Sequence, residues 1–423
     1  MNYRYLIAVS AIIFLIASCS GKQENVPQAT AGPTLEQATA LAQQNIIVDG
    51  HVDLPFRLVV QMFRLQKILE DVSQRTEKGD FDYPRAKEGG LDAPFMSIYV
   101  PSSRQLDGTA KQLADSLIDI VENVASEHPD KFALAKSPAE VQANFEKGLI
   151  SLPMGMENGA PVEEDLANVA YFHERGIRYI TLTHGKDNQI CDSSYDTTYT
   201  WNGLSPFGEE VVKEMNRVGI MVDVSHISDS TFYDVMEMAQ APVIASHSSC
   251  RKFTPGFERN MGDDMIKKLG ENGGVIQINF GSSFLDIESQ EKLDAMREKL
   301  SAYMEENELS WGDSAATAYM KQMMEKDPPF STVQKVADHI DHVVALAGID
   351  HVGLGSDFDG VGDTLPTGLK DVSEYPNLIL ELLKRGYSEE DIAKICYKNV
   401  FRVWTEVEKV AQQMQSSDMA AGY

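Results

Sequence analysis

Short apolar or β-branched runs recur along the whole chain, each followed by a longer stretch with helical spacing, and this alternation constrains the fold more than any other feature. The runs are IIVDGH (46–51), FMSIYV (95–100), LISLPMGME (149–157), YITLTH (179–184), IMVDVSH (220–226), PVIASH (242–247), GVIQINF (274–280) and HVGLGSD (351–357). They are continuously apolar rather than alternating, which suits parallel strands covered on both faces. Between them, SPFGEEVVKEMNRVG and VQKVADHIDHVVALAG carry apolar residues at the spacing of a helix. Eight such units predict an α/β fold, a (β/α)8 TIM-type barrel with extra helices and loops. A typical barrel takes about 250 residues. The surplus of this 423-residue chain is assigned to loops and added helices, chiefly at 284–329.

The ionisable side chains collect at the ends of these runs. His51, Glu157, His184, His226, His247 and Asp357 each stand at, or one step beyond, the C-terminal end of a run, and a barrel gathers those ends into one mouth. His51 and Asp53 are two apart, so in an extended segment they share a face and can grip one ion. Three imidazoles (His51, His226, His247) and two carboxylates (Asp53, Glu157) form a mixed donor set that suits Zn²⁺ and also accommodates Mn²⁺ or Co²⁺. Five donors exceed the needs of one open catalytic zinc. They fit two ions sharing a carboxylate, a spacing at which a bridging hydroxide forms near neutral pH. Asp357, in GLGSDFDG, is suited to accept a proton and pass it to a leaving amine. Its neighbour Asp359 is the rival for that role and otherwise reads as a turn residue or helix cap.

Composition narrows the partners. With 64 acidic against 37 basic residues the formal charge is -27, and nucleic acid is set aside because affinity for phosphates comes from Lys and Arg. A hydrophobic content of 43% is too high for a disordered acidic tail. Cys19, Cys191, Cys250 and Cys396 form neither a disulfide scaffold nor a CxxC knuckle, which leaves His and carboxylates to hold metal. Residues 1–18 read as a signal peptide, with Arg4 ahead of the apolar run LIAVSAIIFLIA. Ile16-Ala17-Ser18-Cys19 resembles the bacterial lipobox, which makes Cys19 the lipidation site and gives a lipid-anchored protein of the cell envelope, outside the cytoplasm. Residues 19–33 are a flexible tether, 34–410 a single catalytic domain, and 411–423 a C-terminal tail.

VDGHVDLP, GMENG, TLTH, GLSPFGEEVV, MVDVSHIS, ASHSS followed by Arg259-Asn260, DHIDHV and HVGLGSDFDG occur in that order between residues 47 and 404. This series of motifs resembles the membrane dipeptidase (renal dipeptidase) family of dinuclear zinc peptidases. The resemblance implies two Zn²⁺ per chain, with His51 and Asp53 on one ion, His226 and His247 on the other, and Glu157 bridging them. It gives Asp357 the proton-handling role, His184 a contact with the substrate carbonyl or its tetrahedral intermediate, and Arg259 a contact with the free carboxylate of a dipeptide. Arg can meet a carboxylate with two parallel hydrogen bonds, which makes that last assignment physically sensible. Dimerisation is common in the family, so a homodimer enters with the resemblance. The rival readings are another amide or lactone hydrolase on the same dinuclear barrel and a non-catalytic metal- or solute-binding lipoprotein.

Two departures from the family pattern bear on specificity. Glu258 stands beside Arg259 where relatives often carry a basic residue, which makes Arg251 the alternative anchor. Gly281 stands where many relatives have an aromatic side chain, which predicts a wider pocket. Lys186, two residues past His184, is read as solvated rather than as a carbamylated bridging ligand. His128 and His173 are read as exposed or half-buried, His339 and His342 as packing, His351 as a stabilising residue at the barrel's bottom, and Cys250 as a bystander.

Overall fold

The computed structural model describes residues 32–60, 69–310 and 312–421. Residues 1–18, read as a signal peptide, Cys19 and residues 20–31 of the expected tether lie outside the described residues. Thr34 opens the body of the chain as the N-cap of the helix Leu35–Gln44, exchanging hydrogen bonds with Gln37 in a capping box.

Eight parallel strands form one sheet in chain order: β1 (Val48–Val52), β2 (Ala93–Tyr99), β3 (Met154–Glu157), β4 (Ile177–Thr181), β5 (Met221–Asp223), β6 (Ile244–Ser248), β7 (Val275–Ile278) and β8 (Val352–Leu354). Nearly every residue in them is buried, as expected of continuous apolar runs covered by helices. The ends of the sheet meet at the mouth. Val52 bridges to Phe358, the Asp357 amide donates to the His51 carbonyl at 3.1 Å, and the Asp53 amide donates to the Phe358 carbonyl at 2.9 Å. The result is a nearly closed (β/α)8 barrel. Its helices include Pro206–Val218, capped by Ser205 and ended at Gly219 with φ +94°, and Val333–Ala347, ended at Gly348.

Three details depart from the sequence reading. The run 149–157 is two strands, because Pro153 has no N–H to continue a ladder. Ile150–Leu152 pairs with Phe132–Leu134 in a small side sheet, and Met154–Glu157 enters the barrel as β3. His51, Glu157 and His247 lie within or at the end of strands, but His184, His226 and Asp357 stand three residues beyond theirs. At His226 and Asp357 the backbone turns to φ +69° and +64°, which ends the extended conformation before the side chain is presented.

The third departure is at the C-terminus, where the predicted tail is instead the end of a helix running Asn399–Ala421. Val400, Val403, Trp404, Val407 and Ala411 are buried at helical spacing. Most of them pack on Val48, Ala93, Ile244 and Val275, the residues that open their strands, so the helix closes the bottom of the barrel. That docking seeds the last turns, and Gln415 continues it by donating to the Arg217 carbonyl at 2.8 Å.

The surplus residues form the helices Ile287–Glu306 and Ser314–Lys326. They pack on each other through Leu300, Met304 and Ala316, with the rings of Tyr303 and Tyr319 stacked at 4.2 Å. Among the described residues, no helix is long and apolar enough to cross a membrane.

Candidate metal centre

The strand ends bring the five sequence-predicted donors together, with the Glu157 carboxylate at their centre. Glu157, the last residue of β3, places Oε1 at 3.0 Å from His226 Nε2, 3.2 Å from His247 Nε2 and 3.6 Å from His184 Nε2. Its other oxygen, Oε2, lies 3.4 Å from His51 Nε2, which is itself 3.5 Å from Asp53 Oδ2. Among the described residues, three triads of donor atoms fall within 4.8 Å: His51-Glu157-His247, Glu157-His184-His226 and His51-Asp53-Asp357. Glu157 belongs to two of them and so stands where a shared ligand must.

The ring orientations are fixed from behind. Tyr179 donates its hydroxyl hydrogen to the Gly50 carbonyl at 3.0 Å, so its oxygen accepts from His51 Nδ1 at 2.8 Å and leaves Nε2 as a bare lone pair. Ser246 donates to Asp223 at 2.6 Å and accepts from His247 Nδ1 at 2.7 Å, with the same consequence. Asp223 is saturated by Thr181 Oγ1 (2.5 Å) and the amides of Ser225 (3.0 Å) and Ser246 (2.8 Å). Asp49 does equivalent work on the other side, accepting from the amides of His51 (3.0 Å) and Ser356 (2.9 Å) and from Tyr375. Asp49 and Asp223, each inside an apolar run two or three residues before a ligand, were missed in the sequence. The signal was there, since a carboxylate in a buried strand is costly unless it is fully hydrogen-bonded.

The constellation fits divalent cations. His51 Nε2 and Asp53 Oδ1 are buried and have no hydrogen-bond partner. His226 Nε2 and His247 Nε2 face each other at 3.0 Å over the same carboxylate oxygen, a contact that a cation between them would satisfy. A Cβ at Gly360 would collide with Asp53 and Asp357, so only glycine leaves room between these carboxylates. The electrostatics point the same way. Burial holds His226 and His247 well below the ordinary histidine range and hence neutral, as ligands must be. At His51 burial is outweighed by Tyr179, Glu157 and Asp53, which raise it well above that range, negative charge that a cation would take up. Burial opposes charge on Glu157, and its two oxygens face the imidazoles of His226 and His247 on one side and His51 on the other, where cations would offset that cost. Asp53 is pushed up by burial, and Asp357 is pushed up to about 7 by burial with Asp53 and Glu157 nearby. Crowded carboxylates short of positive charge are what bound cations relieve.

Asp357 is held by Asn279, whose Nδ2 donates to Oδ2 at 2.8 Å. Asp359 is occupied elsewhere. Arg57 Nη1 donates to both its oxygens, at 2.9 and 3.0 Å, and the Asp80 amide donates to Oδ1 at 2.6 Å. His184 is partly exposed to the cavity, with its ring 4.7 Å from Tyr99 and 4.2 Å from His226. Arg259 is buried, its Nη1 donating to Ser248 Oγ at 2.6 Å and Nη2 to the His247 carbonyl at 2.8 Å, while Nε has no partner.

The residues at the two departures from the family pattern have neighbours of their own. Glu258 accepts the Asp229 amide at 3.0 Å, at the start of the helix Asp229–Met238, and is engaged there. Arg251, the alternative anchor, forms a two-bond ion pair with Asp229 at 2.6 and 2.7 Å. A side chain at Gly281 would meet Phe284 and Val361, both at 2.9 Å. Phe284 and Val361 thus crowd the space beside this position.

The demoted residues have structural partners. Lys186 is exposed and pairs with Asp196 at 3.5 Å. His128 lies 3.3 Å from Asp71, and burial lowers the half-buried His173 to about 4. His339 accepts the Cys250 amide at 3.0 Å and donates to the Leu285 carbonyl at 2.9 Å, His342 contacts Asp263 at 2.8 Å, and His351 donates to the Gly274 carbonyl at 2.8 Å. Cys191, Cys250 and Cys396 are free and buried.

Above the metal donors lies a cavity of about 980 Å³, lined by Asp53, Glu157, His184, His226 and Asp357 at its base. Phe56, Tyr99, Tyr195, Phe257 and Phe284 supply aromatic walls, and Gln290, Asp294 and Arg297 reach it from the helix Ile287–Glu306. These wall residues were not singled out in the sequence: Tyr99 ends β2 but offers no metal donor of the kind that marked the other strand ends, and the rest come from helices and loops.

A family model described as membrane dipeptidase (peptidase family M19) matches residues 35–418. Among solved structures, the chain is similar to the probable dipeptidase PvdM from Pseudomonas aeruginosa, with 27% identity, a TM-score of 0.75, and 89% of this chain and 99% of that one covered. It is also similar to a metallo peptidase from Rhodobacter sphaeroides bound to a phosphinate mimic of the dipeptide L-Ala-D-Ala. That match has 25% identity and a TM-score of 0.69, and covers 86% of this chain and 99% of that one. Dipeptidase AC, a metallo peptidase of family M19, matches at 25% identity and a TM-score of 0.68, with 86% and 99% covered.

Proposed function

The chain belongs to the membrane dipeptidase family of metallo dipeptidases, and from that premise we propose that it cleaves dipeptides at a centre of two Zn²⁺ ions. The observation that carries the two-ion reading is Glu157, whose separate oxygens face His226 and His247 on one side and His51 on the other. His51 and Asp53 would hold one ion, His226 and His247 the other, and Glu157 both. The chemistry such ions supply when bound is activation of a water and polarisation of the scissile carbonyl.

The chain's own residues do the rest. His184 offers a ring nitrogen from the cavity wall to the carbonyl oxygen as negative charge develops on it. Asp357, held by Asn279, takes a proton from the attacking water and returns it to the departing amine. Arg259 is assigned to the free carboxylate, with Nε as its donor lacking a protein partner. Tyr99, Phe257 and Phe284 wall the cavity and exclude water from the reacting bond. The Rhodobacter sphaeroides relative bound to a dipeptide mimic supports dipeptides as the substrate class.

Elemental analysis of the purified full-length chain tests this reading, alongside dipeptide hydrolysis before and after chelation. About two zinc ions per chain, with hydrolysis lost on chelation and restored by zinc, is the expected result. Two ions without dipeptide cleavage would shift the reading to another amide or lactone hydrolase on this barrel. A chain that binds no metal would overturn it.

We propose as well that lipid on Cys19 anchors the protein in the bacterial cell envelope, outside the cytoplasm, on the strength of the small residues leading into that cysteine. Cys19→Ser should move dipeptidase activity from the membrane fraction to the soluble fraction with little change in its rate. Retention of the variant at the membrane would show that something other than the lipid holds it.

A further inference from the structure

Gln290, Asp294 and Arg297 line the cavity and follow one another at four- and three-residue spacing on the helix Ile287–Glu306. Residues so spaced form one stripe. Leu293, Met296, Leu300 and Met304 of the same helix are buried, which fixes the polar stripe toward the mouth. The helix packs on Ser314–Lys326 through a small apolar cluster of its own, apart from the barrel core, so the stripe is held without help from the metal ligands.

The arginines near the cavity differ in their freedom. Arg57 is committed to Asp359 by two hydrogen bonds, and Arg259 is buried with both terminal nitrogens donating. The Arg297 side chain is 58% exposed, and its partner Asp294, one turn away at 3.1 Å, is 57% exposed. An ion pair between two such exposed groups is weak and exchanges easily. Arg297 lines the cavity together with Tyr195, Phe257 and Phe284. Phe284, whose ring lies 5.3 Å from the Arg259 guanidinium, leads into the Arg297 helix.

We infer that Arg297 recognises an acidic side chain on the C-terminal residue of the dipeptide, so that the enzyme favours glutamate or aspartate there over the corresponding amide. The inference rests on the dipeptidase reading and on Arg259 taking the free carboxylate, which together place the C-terminal residue beside Arg259. A cavity of about 980 Å³ has room for a glutamate side chain beyond the two fixed termini. Gln290 can add an amide donor. Asp294 competes for the guanidinium and repels the incoming carboxylate, which sets the strength of the preference.

The test compares kcat/KM for Ala-Glu and Ala-Gln in the metal-loaded full-length chain, with Ala-Ala as the reference dipeptide. Wild type should prefer Ala-Glu, and Arg297→Gln should lower the Glu-to-Gln ratio by roughly fivefold, chiefly through KM. Arg297→Lys should keep most of the preference, and Asp294→Asn should raise it. An unchanged ratio in Arg297→Gln, or an equal loss on both substrates, overturns the inference and leaves the dipeptidase reading standing. If wild type fails to cleave Ala-Ala, the dipeptidase reading falls and this inference falls with it.

Discussion

Glu157→Gln is expected to lose metal and hydrolysis together. Each carboxylate oxygen faces a different set of imidazoles, Oε1 toward His226 and His247 at 3.0 and 3.2 Å and Oε2 toward His51 at 3.4 Å. Glutamine keeps the shape but turns one of those oxygens into an NH₂ group, which cannot ligate, and removes the charge that balances the cations. Taking one partner out of a buried charged cluster costs roughly 3–5 kcal/mol. Set against metal affinity, that is on the order of 10²- to 10⁴-fold. Elemental analysis after dialysis should find the metal depleted and turnover at background, with circular dichroism unchanged. A variant that keeps its full metal complement and cleaves dipeptides would remove Glu157 from the centre of the site.

Asp357→Asn separates the chemistry from the scaffold. An asparagine oxygen can still accept from Asn279 Nδ2, which now donates to Asp357 at 2.8 Å, so the side chain should stay where it is. What it loses is the ability to carry a proton, an ability worth roughly 10²- to 10⁴-fold in rate. The expected result is a fall in kcat of that size with metal content intact. Normal turnover would rule out the proton-handling role. Depleted metal would reassign Asp357 as a ligand, a possibility its place in a triad with His51 and Asp53 makes concrete.

The barrel and its donors were legible because both follow from local pattern. Buried parallel strands must be continuously apolar, so a histidine or carboxylate at the end of one stands out, and the closure of the barrel brings such ends together without any long-range information. Residues that act on a side chain of another strand were not legible. Tyr179 orients His51 across 128 positions of sequence and Asn279 holds Asp357 across 78, and neither pairing leaves a trace in its own segment. Pro153 could have marked the division of the third run into two strands, had its missing N–H been weighed against the apolar pattern around it. The C-terminal helix was hidden differently. Its last turns, QQMQSSDMAA, have no apolar face and persist because Trp404 and its neighbours anchor the preceding turns under the barrel.

The backbone at the mouth sets a limit on how far this protein can be hardened. His226, Asp357 and Asp359 all take left-handed conformations, with φ of +69°, +64° and +67°. Histidine and aspartate enter that region more readily than most residues but still at a cost, about 1–3 kcal/mol each. Glycine at any of the three would relax the chain and remove the side chain that ligates, shuttles protons or pairs with Arg57. At these three positions heat tolerance and the reaction pull against each other, so hardening has to start from left-handed residues away from the centre, such as the exposed Glu163 and Glu308.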